Sequence, residues 1–388
     1  MDKLGRLQDQ VLEAISPLGA ERIPLAAAAG RRLAEAVLAR SPAPPFTCSA
    51  MDGYALRAAD VRGPARLRLG RAIFAGDPQG EAIAAGEAAR IYTGAPLPPG
   101  ADAVVREEAA REEGGAVIFQ AAARPGENVR PQGEDVAAGG LALAAGERLG
   151  PRQLGLCRAV GVAEVVAVRR PRVALLSTGD EVVRGRTPDS NGVALAGALA
   201  ELGAEVAAAR VGDDLDALAA ALAEALASAD AILTVGGVSV GARDHVPAAL
   251  KRAGAEVRIH GVPMKPGKPF LFALAGGKPV FGLPGSPSAC LVAFEVFARP
   301  ALLRLAGAAR PWRRRLQLPL AEPVSGRPGR ARFVWARVEE DGRVRPIGRD
   351  AAQIRGPALA DALLHLPPDA GDLAERALVE VWLLEELA

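Results

Sequence analysis

Residues 231–244, AILTVGGVSVGARD, decide the fold of this chain. The run AILTV has the length and β-branched content of a buried strand, and the glycines at 236, 237 and 241 then force a tight turn before a helical stretch begins. A strand that opens through glycines into a helix lets backbone N–H groups and the positive helix end approach an anion, as open α/β sheets do when they hold phosphate. Two further loops of similar character follow, MKPGKPF at 264–270 and GLPGSP at 282–287. Lysine is scarce here: the chain has 47 basic residues, and its lysines are only Lys3, Lys251, Lys265, Lys268 and Lys278. Two of them stand three apart in one of these loops.

Outward from this stretch, short apolar runs alternate with helical segments. VALLSTGD at 173–180 precedes a helix at 191–203, EVAAARV at 205–211 a helix at 214–228, and AILTV a helix at 246–253 followed by AEVRIHGV. Such alternation predicts a doubly wound parallel sheet with right-handed crossovers and helices on both faces. Residues 268–275 and 279–283 read as a strand pair, and 287–306 as a closing helix. After Pro311 the chain turns all-β, with LQLPL, ARFVWARV, RVRPI, LLHLP and ALVEVWLL separated by turn residues, which suits a small barrel or sandwich. At the other end, helices are predicted at 3–17 and 25–39. A β-rich module with strands at LRLG, AIFAG, EAARIYTG, DAVVREE and GAVIFQA starts at Ser41 and ends near Gly139, and the helix PRQLGLCRAVG follows it.

Composition excludes several classes. The 388 residues, 50% of them hydrophobic, can build two or three cores, and a net charge of +2 offers no field for nucleic acid or a membrane surface. The start, MDKLGRLQDQVLEAI, carries charges where an export signal needs an apolar core, so a cytoplasmic protein is expected. Cys48, Cys157 and Cys290 lack metal-ligand spacing and fit a reducing compartment.

Acids gather at the carboxyl ends of the predicted strands: Asp180 and Glu181, Asp213 and Asp214, and Asp244. In an open parallel sheet these ends share one crevice, where carboxylates beside a polyphosphate hold magnesium. Asp213 and Asp214 read equally well as caps of the helix that follows them. Gly237-Val238-Ser239-Val240-Gly241 has the serine-hydrolase spacing, but His260 or His365 would have to serve as its base, with no supporting signature. A glycine turn with no ligand is the remaining alternative.

Taken together the motifs SAMDGYA (49–55), IYTGAPLPPGADAVV (91–105), GENVRPQGEDV (126–136), STGDE (177–181), DSN (189–191), GGVSVGARD (236–244), MKPGKPF and GLPGSP resemble those of the MoeA/gephyrin-E family, the molybdenum insertases of molybdenum cofactor synthesis. The resemblance runs in order over nearly the whole chain. It implies an α/β multidomain protein: a helical dimerisation segment from 1–40 and 138–170, a β-rich insertion at 41–137, a molybdopterin-adenylyltransferase-like doubly wound domain at 171–308 and a C-terminal β-barrel at 309–388.

The implied reaction inserts molybdenum from molybdate into adenylylated molybdopterin with Mg2+ and releases AMP, in a cytoplasmic homodimer whose cleft takes its walls from both subunits. Asp52, Asp135, Lys265 and Lys268 are the implied catalytic residues. Ligand binding falls to Thr93, Arg130, Ser177, Gly179, Glu181, Gly236, Gly237, Ser239, Gly241, Pro284, Ser286, Pro287 and Arg330, and metal binding to Asp214, Asp244 and Glu181. Molybdopterin adenylyltransferase and molybdoenzyme-maturation proteins are the implied partners. A non-catalytic scaffold that keeps the pterin or nucleotide site, and a tungstate-selective paralogue, are the alternatives. The chain departs from the family pattern at Thr47-Cys48, at Ser286 in place of Asn, and in 348–353, where Arg349 stands in a loop the family fills with Gln and Ser.

Overall fold

The computed structural model describes residues 3–239, 241, 244–326, 328–347 and 354–384. The chain divides into two compact units, one of residues 1–21, 30–34 and 167–388, the other of 22–29 and 35–166.

The first unit is built on a six-stranded sheet of β1 (Arg172–Thr178), β2 (Glu205–Val211), β3 (Ala231–Val235), β4 (Glu256–His260), β5 (Leu271–Ala275) and β6 (Lys278–Leu283), in the order β2-β1-β3-β6-β5-β4. Its helices are α1 (Asp180–Val183), α2 (Ser190–Glu201), α3 (Leu215–Ser228), α4 (Val246–Arg252) and α5 (Pro287–Ala293). Alternate residues of β1 explain why the sheet is covered on both faces. Val173 and Leu175 pack with Leu195 and Leu199 of α2, while Ala174 and Leu176 pack with Leu218 and Leu222 of α3.

The sheet is not parallel throughout. β2, β1, β3 and β6 run parallel, but β5 is antiparallel to both β6 and β4. Gly276 and Gly277, with φ of 55° and 78°, join β5 to β6, and such a two-residue turn returns the chain antiparallel, whereas a parallel partner needs a long crossover. The closing helix expected over 287–306 widens into a π turn at Phe294–Ala298 before resuming at Arg299–Leu305. Pro300 has no N–H for the carbonyl four residues back, that of Val296, and the buried Gln8 side chain donates to that oxygen instead at 3.0 Å.

The C-terminal strands Arg315–Pro319, Ala331–Val338, Val344–Pro346, Ala362–Leu366 and Leu378–Leu383 pair in a sheet of their own. A bridge between Leu320 and Val344 links its first strand to its third. This sheet also recruits Met264–Lys265, which lies parallel to Ala331–Arg332.

In the second unit a six-stranded sheet orders Ala103–Arg106, Gly53–Leu56, Glu87–Ile91, Ala65–Ile73, Ala116–Phe119 and Ala110–Glu113. The strands expected at LRLG and AIFAG are one strand, irregular between Leu69 and Ala72. The helix expected at 25–39 does not form. Leu25–Ala27 makes one 3-10 turn, Gly30 takes φ of 75°, and Val37–Leu38 pairs with Leu141–Leu143. Strand pairing with residues far along the chain outweighs the helix propensity of this alanine-rich stretch.

Candidate functional site

The strand order reverses between β1 and β3, and the crevice that such a switch point creates is present beyond their carboxyl ends. Its volume is about 490 Å³, and Ser177, Gly179, Glu181, Gly236, Gly237, Asp244 and Pro287 line it, joined by Asp189, Asn191, Asp213 and Ile354. Gly236 and Gly237 hold φ of 85° and 62°, and a Cβ on Gly236 would stand 2.9 Å from Thr178 Oγ1. Only glycine fits that turn. The N-terminus of α2 also opens here: Asp189 caps it by accepting from the Gly192 amide at 2.8 Å, and Asn191 Nδ2 donates to the Gly285 carbonyl at 2.7 Å.

Not every expected phosphate donor is available. The Gly236 amide donates to the Leu283 carbonyl at 3.0 Å and the Gly241 amide to Asp244 Oδ2 at 2.7 Å. Ser239 is exposed and outside the lining of the crevice. His260 bonds to the Val238 carbonyl and His365 pairs with Glu380, so neither of these two is free to serve as a base for Ser239.

The expected metal ligands separate. Glu181 and Asp244 line the crevice, but Asp214 caps α3, its Oδ1 accepting from the amides of Asp216 and Ala217 at 3.1 and 2.8 Å. Its neighbour Asp213 faces the crevice instead and exchanges hydrogen bonds with Asp180. Among the described residues no group of three or more His, Cys, Asp or Glu side chains could hold a metal by itself. Magnesium does not require one, since one or two carboxylates suffice when substrate phosphates and waters complete its shell. Glu181 and Asp244 fit that partial role.

Past β6 the loop 284–287 alternates. Gly285 and Pro287 face the crevice, while Pro284 and Ser286 face a second cavity of about 460 Å³ on its other side. Lys265, Lys268, Arg330 and Arg332 line this second space, and no carboxylate does so among the described residues. The wall between the cavities is held from behind, where Trp335 Nε1 of the C-terminal sheet donates to the buried Ser288 hydroxyl at 2.8 Å. The altered loop at 348–353 lies outside the described residues.

Asp52, Thr93, Arg130 and Asp135 gather in the second unit. Cys48–Ser49 pairs with Val129–Arg130, and Ser49 exchanges backbone hydrogen bonds with Gly94 and Ala95, so three motifs distant in sequence meet. Asp52 Oδ1 accepts from both the amide and the hydroxyl of Thr93 at 2.7 Å, and these bonds, the amide first, hold its pKa below the usual carboxylate value. Arg130 is forked between Glu134 and Asp135 at 2.9 Å each, which raises its pKa further. The Thr47-Cys48 departure has a structural account: Thr47 Oγ1 accepts from the Gln132 amide at 3.2 Å, and Cys48 is buried, which raises its thiol pKa.

Reasoning on sequence alone counted Asp213 among the crevice acids but gave the metal role to its neighbour Asp214, and it did not single out Asn191, Glu134 or Arg332. Asp213 and Asn191 sit inside motifs already singled out, and their side-chain directions were the missing information. Arg332 had no signal beyond lying two residues after Arg330.

Three family models match the chain: the MoeA N-terminal region (domain I and II) at residues 3–161, a probable molybdopterin binding domain at 174–304, and the MoeA C-terminal region (domain IV) at 317–384. Molybdopterin molybdenumtransferase 2 of Mycobacterium tuberculosis is 36% identical over 397 residues, covering 97% of both chains. Molybdopterin molybdenumtransferase of Nostoc sp. is 39% identical over 308 residues, covering 75% of this chain and 71% of its own. Among solved structures, a molybdopterin biosynthesis MoeA protein from Pyrococcus horikosii superposes with a TM-score of 0.79 at 33% identity, over 100% of both chains.

Proposed function

The chain belongs to the molybdopterin molybdenumtransferase (MoeA) family, and from that premise we propose that it transfers molybdenum from molybdate to adenylylated molybdopterin, releasing AMP. The observation that carries this assignment to particular residues is the pair of adjoining cavities with opposite charge. The crevice takes the organic substrate, with its phosphates toward the N-terminus of α2. The basic cavity takes molybdate, with Lys265, Lys268 and Arg330 as cations and Ser286 as a neutral donor.

A phosphorylated ligand beside Glu181, Asp213 and Asp244 meets repulsion that an accompanying cation offsets, whereas Asp189 is already paired with Arg210. Glu181 and Asp244 would hold magnesium together with the substrate's phosphates, and the ion would supply charge compensation and Lewis acidity there. Lys265 and Lys268 stabilise the charge that develops during transfer. Asp52, kept ionised by Thr93, suits positioning a water better than donating a proton. In a homodimer, Asp52, Thr93, Arg130 and Asp135 complete the cleft from the partner protomer.

The test is AMP release from adenylylated molybdopterin and magnesium, with and without molybdate, and metal analysis of the product. Molybdate-dependent release of AMP with a metal-loaded pterin is expected. Tight binding with no release in either condition would replace the enzyme with a scaffold.

A further inference from the structure

Asn191 lines the acidic crevice, but its side-chain amide is engaged on the wall between the two cavities, where Nδ2 donates to the Gly285 carbonyl at 2.7 Å. A carbonyl only accepts, so the amide has to present its nitrogen there. Asn191 stands on a fixed turn. Asp189 accepts from the Gly192 amide at 2.8 Å and from Arg210 Nε of β2 at 3.4 Å, which ties the start of α2 to the sheet. Gly285 in turn lies against the glycine turn after β3, since a Cβ on it would meet Gly236 Cα at 3.6 Å.

The carbonyl that Asn191 holds belongs to the Gly285–Ser286 peptide. That unit is planar and trans, so its C=O and N–H point in opposite directions, and fixing the oxygen on the crevice side turns the Ser286 N–H away from it. Ser286 lines the basic cavity with Lys265 and Lys268, and its N–H has no partner among the described residues. Lysines attract an oxyanion as point charges, whereas an N–H and an O–H of set direction also orient it. We propose that Asn191, which is not part of the basic cavity's lining, is a positioning residue for that cavity: by holding the Gly285 carbonyl it aims the amide and hydroxyl of Ser286 at an oxyanion it does not itself touch. This rests on the basic cavity being the oxyanion site of the transfer reaction proposed above.

The experiment is calorimetric titration of the full chain with molybdate and, separately, with AMP and magnesium, at a temperature where thermal unfolding shows every variant folded. Asn191→Ala is expected to weaken molybdate about fivefold, the scale of one hydrogen bond between neutral groups, and AMP less than about twofold. Once Ser286→Ala has removed the hydroxyl, Asn191→Ala should cost less than it does in the unaltered chain, because residues that act through one another do not contribute additively. Fully additive losses, or an equal weakening of molybdate and AMP by Asn191→Ala, would reduce the Asn191 contact to a general structural tie and overturn the proposal. Molybdate binding unchanged in Asn191→Ala would overturn it while leaving the transferase assignment intact, and no molybdate binding by the unaltered protein would remove the basic cavity from both.

Discussion

The two cavities on either side of loop 284–287 are close in volume, about 490 and 460 Å³, yet one is lined by carboxylates without Lys or Arg and the other by Lys and Arg without carboxylates, among the described residues. The crevice is framed by the doubly wound sheet, whose switch point and helix N-terminus suit phosphates once a cation is supplied. The basic cavity is assembled where the C-terminal sheet captures Met264–Lys265. One loop thus divides a space lined by carboxylates from one lined by Lys and Arg, and the proposed function assigns the phosphorylated substrate to the first and the oxyanion to the second.

Removing charge from the basic side should have the largest effect. Replacing Lys265 and Lys268 together by Ala is expected to lower molybdate-dependent AMP release about a hundredfold or more, with binding of the adenylylated substrate changed less than about twofold. Single-turnover assays and equilibrium binding would check both halves; an equal loss in both would erase the division between the cavities. On the crevice side, Gly236→Ala forces a Cβ into φ of 85°, 2.9 Å from Thr178 Oγ1. A loss of about 1–3 kcal/mol in denaturant unfolding is expected, with oxyanion binding retained.

Asp214→Ala separates capping from metal binding. It should cost about 1 kcal/mol of stability and leave the magnesium dependence of turnover unchanged, whereas a weakened magnesium response would restore Asp214 as a ligand. A pH-dependent effect confined to acid conditions concerns the sheet that carries Arg332. Hydrogen bonding to His365 is the main reason the Glu380 pKa falls from 4.5 to about 2. A depressed folded-state pKa contributes stability above the unfolded value, lost as pH falls through the folded one. The stability gap between the unaltered chain and Glu380→Gln should therefore close between pH 4.5 and about 2, as followed by acid titration of unfolding.

The sequence carried the alternation of β1 through α3, the glycine turn after β3 and the loops at 264–270 and 282–287, because period, β-branching and glycine placement are local properties. It did not carry events set by distant partners. The stretch 25–39 lost its predicted helix to strand pairing with 141–143, whereas the antiparallel return of β5 into β6 was local, set by Gly276-Gly277 between two strands already legible as a pair. The same holds within the site. Asp213 and Asp214 are indistinguishable as letters, and only the start of α3 decides which one caps and which one faces the crevice. Arg332 gained its place through the register of two strands distant in sequence, Met264–Lys265 and Ala331–Val338, which no local pattern encodes.

The most direct test of the division between cavities is anomalous diffraction at the molybdenum edge from crystals of the full chain soaked in molybdate. The account predicts a molybdenum peak among Lys265, Lys268, Arg330 and Arg332, and none among Glu181, Asp213 and Asp244. A peak in the acidic crevice with the basic cavity empty would contradict it.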